Sequence, residues 1–217
     1  MTLRVAALIP AAGKSSRMGR PKALLPFGER CALELILETA REVGVCATIL
    51  VLAPGAAEIR AVAEGYDVTI VTNPFPERGR TASIQCGLRH LPQVEAFWLW
   101  SVDHPLVTAG DLGCLSRAFP VAHQAGKRIL LPTYGGRRGH PPLFAAELAV
   151  EFFELGGDEP ARTIVRRSPE RVVEVAVPGR GVLLNMNTPD DYRRCLHRWH
   201  AESPTPSREA SFPPGER

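Results

Sequence analysis

Long hydrophobic runs are missing from this 217-residue chain; no apolar stretch approaches the roughly 20 residues that a membrane-spanning helix needs. The N-terminus lacks a basic segment leading into an apolar stretch and a cleavage site, so a secreted protein is not expected. No C-x-x-C pair and no zinc-ligand spacing occurs among the five cysteines, Cys31, Cys46, Cys86, Cys114 and Cys195. Their odd number and wide separation argue against a disulfide framework and for free, mostly buried thiols in the cytoplasm. Charge of one sign is not concentrated either. The net charge is +3, and the pairs Arg137/Arg138, Arg166/Arg167 and Arg193/Arg194 lie far apart, which excludes a nucleic-acid stripe. Internal repeats are absent. Lysine is scarce: there are three, Lys14, Lys22 and Lys127, against 23 arginines, so the placing of each carries weight. Aspartate is scarce as well, with six in the chain.

What is present is ordinary globular material, 45% hydrophobic and 23% charged, enough for one substantial core. Apolar β-rich runs at Val5–Pro10, Cys46–Leu52, Val68–Thr72, Phe97–Val102 and Arg128–Pro132 read as strands. Helical patterns at Cys31–Gly44, Ala56–Glu64, Thr81–Leu91 and Asp111–Phe119 alternate with them. Such alternation implies a mostly parallel sheet covered on both faces. After residue 132 the pattern loosens. Pro142–Phe144 reads as a short strand, Ala145–Phe153 and Glu159–Arg167 as helices, and Val172–Val177 and Gly181–Leu184 as two strands around a Pro178-Gly179 turn. Thr188 caps a last helix with Pro189 in its first turn. Residues 1–200 then form one domain, and 201–217, rich in Pro and Ser, a disordered tail.

The stretch "ALIPAAGKSSRMGRPKALLPFG", Ala7–Gly28, breaks an apolar run with Gly, Ser, Arg and Lys. It is not a Walker A loop: Gly13 and Gly19 are one residue too far apart, and Arg20-Pro21 precede Lys22. The G-x-G-x-x-G dinucleotide pattern is absent too. The loop nevertheless follows a buried strand, where open α/β sheets bind ligands, and holds two of the three lysines. Backbone N–H groups freed by small residues, together with Lys14, Arg17, Arg20 and Lys22, suit a polyphosphate.

"PAAGKSSRMGRPKALLPFG" resembles the signature loop of GT-A-like nucleotidyltransferases, in particular the molybdenum-cofactor cytidylyltransferase and guanylyltransferase group, with its pattern (L/A)AG-x-S-x-RMG-x-x-K. The Ala-Ala-Gly start is similar to the cytidylyltransferase branch. The resemblance extends over residues 5–200. It implies a three-layer α/β fold with a mostly parallel, mixed sheet, the Rossmann-like fold of nucleotide-diphospho-sugar transferases. It implies that Ala11, Ala12, Gly13, Lys14 and Ser15 bind the nucleotide, with Arg17 and Lys22 neutralising its phosphates. In "FWLWSVDHPLV", Asp103-His104-Pro105-Leu106 matches the family's GD-M-P-L box, with Val102 for Gly and His104 for Met. Asp103, just past an apolar strand, is the expected ligand for Mg²⁺ or Mn²⁺. The family's D-x-D-T-P box reads Asn185-Met186-Asn187-Thr188-Pro189 here, so Asn187 stands as second ligand with a neutral amide oxygen and weaker metal binding. In "NPFPERGRTASIQCGLRHL", Ser83 matches the contact to base and ribose, Gly79 and Arg80 shape the loop, and Cys86 reads as a core thiol. "PTYGGRRGHPPLFAAEL" matches the G-x-x-GHP segment; a mobile glycine loop would present Arg137, Arg138 and His140, with His104, to an anionic acceptor. "GDEPARTIV" also matches a family stretch, but no chemistry attaches to it.

The resemblance thus implies Mg²⁺-dependent transfer of CMP from CTP to the phosphate of a molybdopterin-type cofactor with release of pyrophosphate. The chain is expected to be a cytoplasmic monomer that serves a molybdoenzyme or its maturation chaperone. Two alternatives stay open: the same chemistry with GTP or another triphosphate and acceptor, or a non-catalytic protein that holds and delivers the cofactor.

Overall fold

Nearly every buried apolar run in the sequence becomes a strand of one sheet, and the strand ends aim the loops described below. The computed structural model describes residues 3–13, 18–156 and 159–202. Lys14, Ser15 and Arg17, the start of the "GDEPARTIV" stretch, and the expected tail beyond residue 202 lie outside the described residues.

The strands are β1 (Val5–Pro10), β4 (Ala47–Leu52), β5 (Thr69–Thr72), β6 (Ala96–Leu99), β7 (Ile129–Tyr134), β8 (Arg137–Arg138), β9 (Leu143–Ala145) and β10 (Val172–Ala176). A separate two-residue hairpin pairs β2 (Pro26–Phe27) with β3 (Arg30–Cys31). The order in the main sheet is β10-β7-β9-β6-β1-β4-β5, with β8 paired to β7. β6, β1, β4 and β5 run parallel, and β10 is parallel to β7. The short β9 is antiparallel to both β6 and β7 and joins the two parallel groups. The sheet is therefore mixed but mostly parallel.

Alternate residues of β1 separate the two faces. Val5, Ala7 and Ile9 pack with α1 (Ala32–Glu42), α2 (Ala57–Ala63) and α4 (Ala109–Gln124), whereas Ala6 and Leu8 pack with α3 (Arg80–Leu88), α5 (Ala149–Phe153) and α6 (Arg162–Arg167). The apolar spacing expected in residues 31–44 is the inner face of α1: Leu33, Ile36, Leu37 and Ala40 are all buried. A third cluster seats α7 (Pro189–Glu202) on the β2–β3 hairpin, through Met186, Cys195, Leu25 and Phe27. Tyr192 Oη donates to the Pro26 carbonyl at 2.5 Å.

Several expectations change. Gly181–Leu184 is a single 3₁₀ turn, Arg180–Leu183, not a strand; its backbone serves the neighbouring loops, with the His140 N–H bonded to the Val182 carbonyl at 2.9 Å. The expected helix at 111–119 is longer at both ends and passes through Pro120. That at 159–167 is shortened to Arg162–Arg167, after Pro160. The last helix reaches Glu202, two residues into the expected tail. Of the thiols, Cys195 alone is fully buried; Cys31, Cys86 and Cys114 are half-buried and Cys46 is exposed. The expectation of mostly buried cysteines is thus corrected, and among the described residues all five are free. No described helix is long and apolar enough to cross a membrane.

Candidate active site

β1 ends at Pro10, and the chain leaves the sheet as Ala11-Ala12-Gly13. The Ala11 N–H donates to the Val51 carbonyl of β4 at 2.8 Å, which fixes the first residue of the loop above the sheet. On the other side of β1, β6 stops at Leu99, and Trp100–Asp103 follow. The fully buried Trp100 anchors that exit, its indole N–H bonded to the His104 carbonyl at 3.0 Å. The expected strand 97–102 is observed as Ala96–Leu99, and Ser101 and Val102 beyond it line the cleft described next.

Between these strand ends lies a cleft of about 340 Å³. Ala11, Ala12, Gly13, Lys22, Ser83, Asp103 and Asn187 all line it. Ser83 enters from the first turns of α3, where its hydroxyl accepts a hydrogen bond from Asn73 Nδ2 at 2.9 Å. Lys22 follows Pro21 in a 3₁₀ turn and donates to Asn187 Oδ1 at 2.6 Å. Asn187 is held just before α7 by a cap in which Thr188 Oγ1 accepts the Asp191 N–H and Asp191 Oδ2 accepts the Thr188 N–H. A loop and a residue 165 positions later in the chain thus meet directly.

A second cavity of about 420 Å³ adjoins the first and shares Arg80, Ser101, Asp103 and Asn187 with it. His104, Arg137, Arg138 and His140 line this one. Gly135 and Gly136, both at positive φ (57° and 72°), close a two-residue turn between β7 and β8. The expected mobile loop is therefore a tight hairpin, which sets Arg137 and Arg138 at the cavity edge. All candidate residues among those described fall in these two adjoining cavities, with Asp103 at the junction.

Asp103 is buried, and its Oδ1 has no hydrogen-bond partner among the described residues. Burial by itself raises a carboxyl pKa. Here the His104 ring, the Ser101 hydroxyl and the charges of Arg80 and Lys22 outweigh it, and the net direction is down. An ionised carboxylate that lines the cleft beside Lys22 and Asn187 fits a divalent cation. Among the described residues no group of three or more His, Cys, Asp or Glu could hold a metal. Asp103 with Asn187 therefore suits an ion that completes its shell with phosphate oxygens, as Mg²⁺ does.

His104 and His140 stack with ring centroids 4.6 Å apart. Burial lowers the His104 pKa to about 4, with His140 and Arg80 acting the same way and Asp103 against them. The His140 pKa is lowered too, by desolvation in the cleft and then by Arg80. Both rings are neutral at pH 7. The folded state thus binds fewer protons at His104 than the unfolded chain between pH 6.5 and about 4. Its contribution is complete above pH 6.5 and is lost as pH falls through that window, up to about 3 kcal/mol. Asp103 titrates below the window. Urea unfolding at pH 7 and pH 4.5 should show the loss, and His104→Gln should flatten it; equal flattening in a surface His90→Gln control would remove the assignment.

Arg80, expected only to shape a loop, lines both cavities and acts electrostatically on Asp103. Its signal was its place directly after Gly79, at the opening of α3. Ser101 carried a weaker signal, its position two residues before Asp103.

Residues 7–172 match the model of the MobA-like NTP transferase domain. The molybdenum cofactor cytidylyltransferase of Escherichia coli K12 is 24% identical over 196 residues, 88% of this chain and 95% of that protein. The nicotine blue oxidoreductase of Paenarthrobacter nicotinovorans is 30% identical over 174 residues, 76% of this chain and 83% of that protein. A probable molybdenum cofactor guanylyltransferase of Mycobacterium avium is 28% identical over 202 residues, 88% and 95% of the two chains. Among solved structures, that of Rv0371C in complex with manganese, from Mycobacterium tuberculosis H37Rv, superposes with a TM-score of 0.72 at 30% identity, covering 91% of this chain and all of the other. The loop after β1, the carboxylate after β6 and the matched span of 7–172 agree, and the chain belongs to the MobA-like NTP transferase family of nucleotidyltransferases.

Proposed function

We propose that the chain transfers CMP from CTP to the phosphate of a molybdopterin-type acceptor and releases pyrophosphate. The observation that carries this reading is the pair of adjoining cavities that share Asp103, one under the Ala11–Gly13 loop and one edged by Arg137, Arg138 and His140. In this reading the triphosphate lies in the first cleft, against the Ala11–Gly13 backbone, Lys22 and Arg80. Lys14, Ser15 and Arg17 are assigned to the same ligand by the resemblance of their loop to the family signature. Ser83 meets the ribose or base. The acceptor phosphate enters from the second cavity and its oxygen attacks the α-phosphorus. The new P–O bond forms as the α–β bridging bond breaks, and pyrophosphate leaves with the electron pair. An acceptor phosphate is already anionic, so no side chain has to remove a proton, which agrees with two neutral histidines beside the path. Asp103 and Asn187 would hold Mg²⁺ or Mn²⁺, which supplies charge neutralisation on the phosphates. The remaining work is alignment of two anions that repel one another, done by Lys22 and the arginines.

Pyrophosphate release from each of the four nucleoside triphosphates, with molybdopterin and with or without Mg²⁺, tests this. CTP should turn over fastest and raise the melting temperature most. Lys22→Ala should lower the rate about 10²-fold, since it removes both a phosphate cation and the support of Asn187. A preference for GTP would move the chain to guanylyl transfer. Nucleotide and cofactor binding without pyrophosphate from any pair would favour a delivery protein. The Lys22–Asn187 hydrogen bond supports that second reading, because it already engages the amide oxygen that would ligate the metal.

A further inference from the structure

Asp111 lines neither cavity around Asp103, yet it is fully buried and bonded beyond what a helix cap requires. Its Oδ2 completes the cap of α4, where it accepts the Thr108 N–H at 3.1 Å and the Thr108 hydroxyl at 2.8 Å. Its Oδ1 reaches off the helix and accepts the Gly179 N–H at 2.7 Å, from 68 positions away in the chain. Space at Gly179 is taken up by this contact: a Cβ there would stand 2.3 and 2.6 Å from the two carboxylate oxygens. The φ of Gly179 is −91°, which any residue adopts. The glycine therefore serves the close approach and not the backbone angle.

Gly179 is the first of three points at which the segment 179–187 runs against the segment 103–111 in the opposite direction. Asp111 meets Gly179, the Leu106 carbonyl lies against Gly181, and the Asp103 carbonyl accepts the Met186 N–H at 3.0 Å. One segment carries Asp103 and His104. The other gives Val182, Leu183, Asn185 and Asn187 to the acceptor-side cavity, and its Val182 carbonyl accepts the His140 N–H at 2.9 Å. Just before Gly179 the chain still belongs to the sheet, with the Val177 N–H bonded to the Thr133 carbonyl at 2.9 Å. Asp111 thus grips the second segment where it leaves the sheet. The Leu106–Gly181 contact stops the two segments from moving closer, and the Asp111–Gly179 bond stops them from moving apart.

We propose that Asp111 is a positioning residue for the reaction: by holding Gly179 it fixes the distance between Asp103 and the strip Val182–Asn187, together with the His140 that this strip supports. That the strip faces the acceptor rests on the transfer reading above. Asp111 touches neither substrate and acts through the main chain of the strip. Without its carboxylate the Gly179 N–H loses its acceptor, and the strip drifts from Asp103. A misplacement of about 1 Å between reacting groups costs up to about 10²-fold in rate, so the effect belongs in kcat. The nucleotide side, with Ala11–Gly13, Lys22 and Ser83, stands on other segments and keeps its affinity.

The test compares Asp111→Ala, Asp111→Asn and Thr108→Ala in the full chain, well below their melting temperatures. Amide hydrogen exchange followed by NMR reads the geometry, and turnover with CTP and molybdopterin reads the rate. In Asp111→Ala the His140 and Met186 amides, which donate to the Val182 and Asp103 carbonyls, should exchange about tenfold faster. Its kcat should fall about tenfold with the nucleotide KM unchanged. Thr108→Ala removes the cap hydroxyl and leaves the bond to Gly179, so it should lower the melting temperature and alter neither those two amides nor kcat. Asp111→Asn keeps an oxygen for the Gly179 N–H and should restore kcat to within about twofold of wild type. Should Asp111→Ala not fold, Gly179→Ala pushes the same contact apart from the other side and should give the same exchange and the same kcat. Wild-type exchange at His140 and Met186 in these variants, wild-type kcat despite faster exchange, or an equal loss of kcat in Thr108→Ala overturns the inference. The two readings fail separately: no pyrophosphate from any nucleotide, with the two amides still exposed by Asp111→Ala, removes the transfer reaction and keeps the tether. Turnover with unchanged exchange in the variant does the reverse.

Discussion

Asp103→Ala is expected to lower pyrophosphate release about 10³-fold at saturating nucleotide and acceptor, a barrier increase of about 4 kcal/mol. The size follows from its position. Among the described residues it is the one carboxylate that lines both cavities. Nothing nearby replaces it, because the second candidate ligand, Asn187, is uncharged and already accepts a hydrogen bond from Lys22. The loss should appear in kcat and not in the nucleotide KM. Removing an anion should not weaken the hold of Lys22 and Arg80 on the triphosphate. The folded protein should lose some stability too, because the Ser101 hydroxyl and the charges of Arg80 and Lys22 favour the ionised carboxylate in the fold. Single-turnover pyrophosphate release, with thermal melts of the same samples, separates the two effects. Asp103→Asn should fall between, because it keeps the shape and discards the charge. A rate within a few-fold of wild type in Asp103→Ala would place the reacting phosphates elsewhere.

The parts of this site that could be read from the sequence are those where function and local chain order coincide. Ala11-Ala12-Gly13 follow a six-residue apolar strand directly, so both the strand and the loop after it were legible. Asp103 likewise follows a run of large apolar residues, and Thr188-Pro189 announce their helix by cap chemistry. What escaped depends on contacts between distant segments. Nothing local in Leu143–Ala145 tells that three residues will wedge antiparallel between β6 and β7, because the partners of Phe144, Phe97 and Ile129, lie 47 and 15 positions away. Arg80 looked like a loop residue because its partners, Asp103 and the histidines, arrive from other strands. Gly181–Leu184 has strand composition, yet its backbone is drawn into a 3₁₀ turn between loops. β7 already pairs with β8, β9 and β10, and the 180–183 turn gives its carbonyl at Val182 to His140. The cysteines were misjudged for a related reason: burial of a small thiol is set by what packs over it, which residue type alone does not fix.

Gly181→Ala is expected to be the most damaging single methyl group in the protein. A Cβ on Gly181 would stand 1.8 Å from the Leu106 carbonyl oxygen and 2.6 Å from its carbon. Both are backbone atoms, so no rotamer change can clear the clash. One of the two segments has to move. On one side lies the loop Asp103–Val107, whose Asp103 carbonyl accepts the Met186 N–H at 3.0 Å. On the other lies the turn that carries the fully buried Val182 and holds the His140 N–H. Either shift separates Asp103 from His140, so activity and stability should fall together. The expected loss is about 3 kcal/mol, at the upper end for overpacking because the obstacle is main chain. In a domain of this size that lowers the melting temperature by about 9 °C. Gly136→Ala is the control: it sits at φ 72° with nothing within 4 Å of its Cβ, so its cost is conformational, about 1 kcal/mol, with little effect on the acceptor side. If Gly181→Ala melted no lower than Gly136→Ala, the close approach of the two backbones would be wrong, and with it the means by which this fold fixes the spacing between Asp103 and His140.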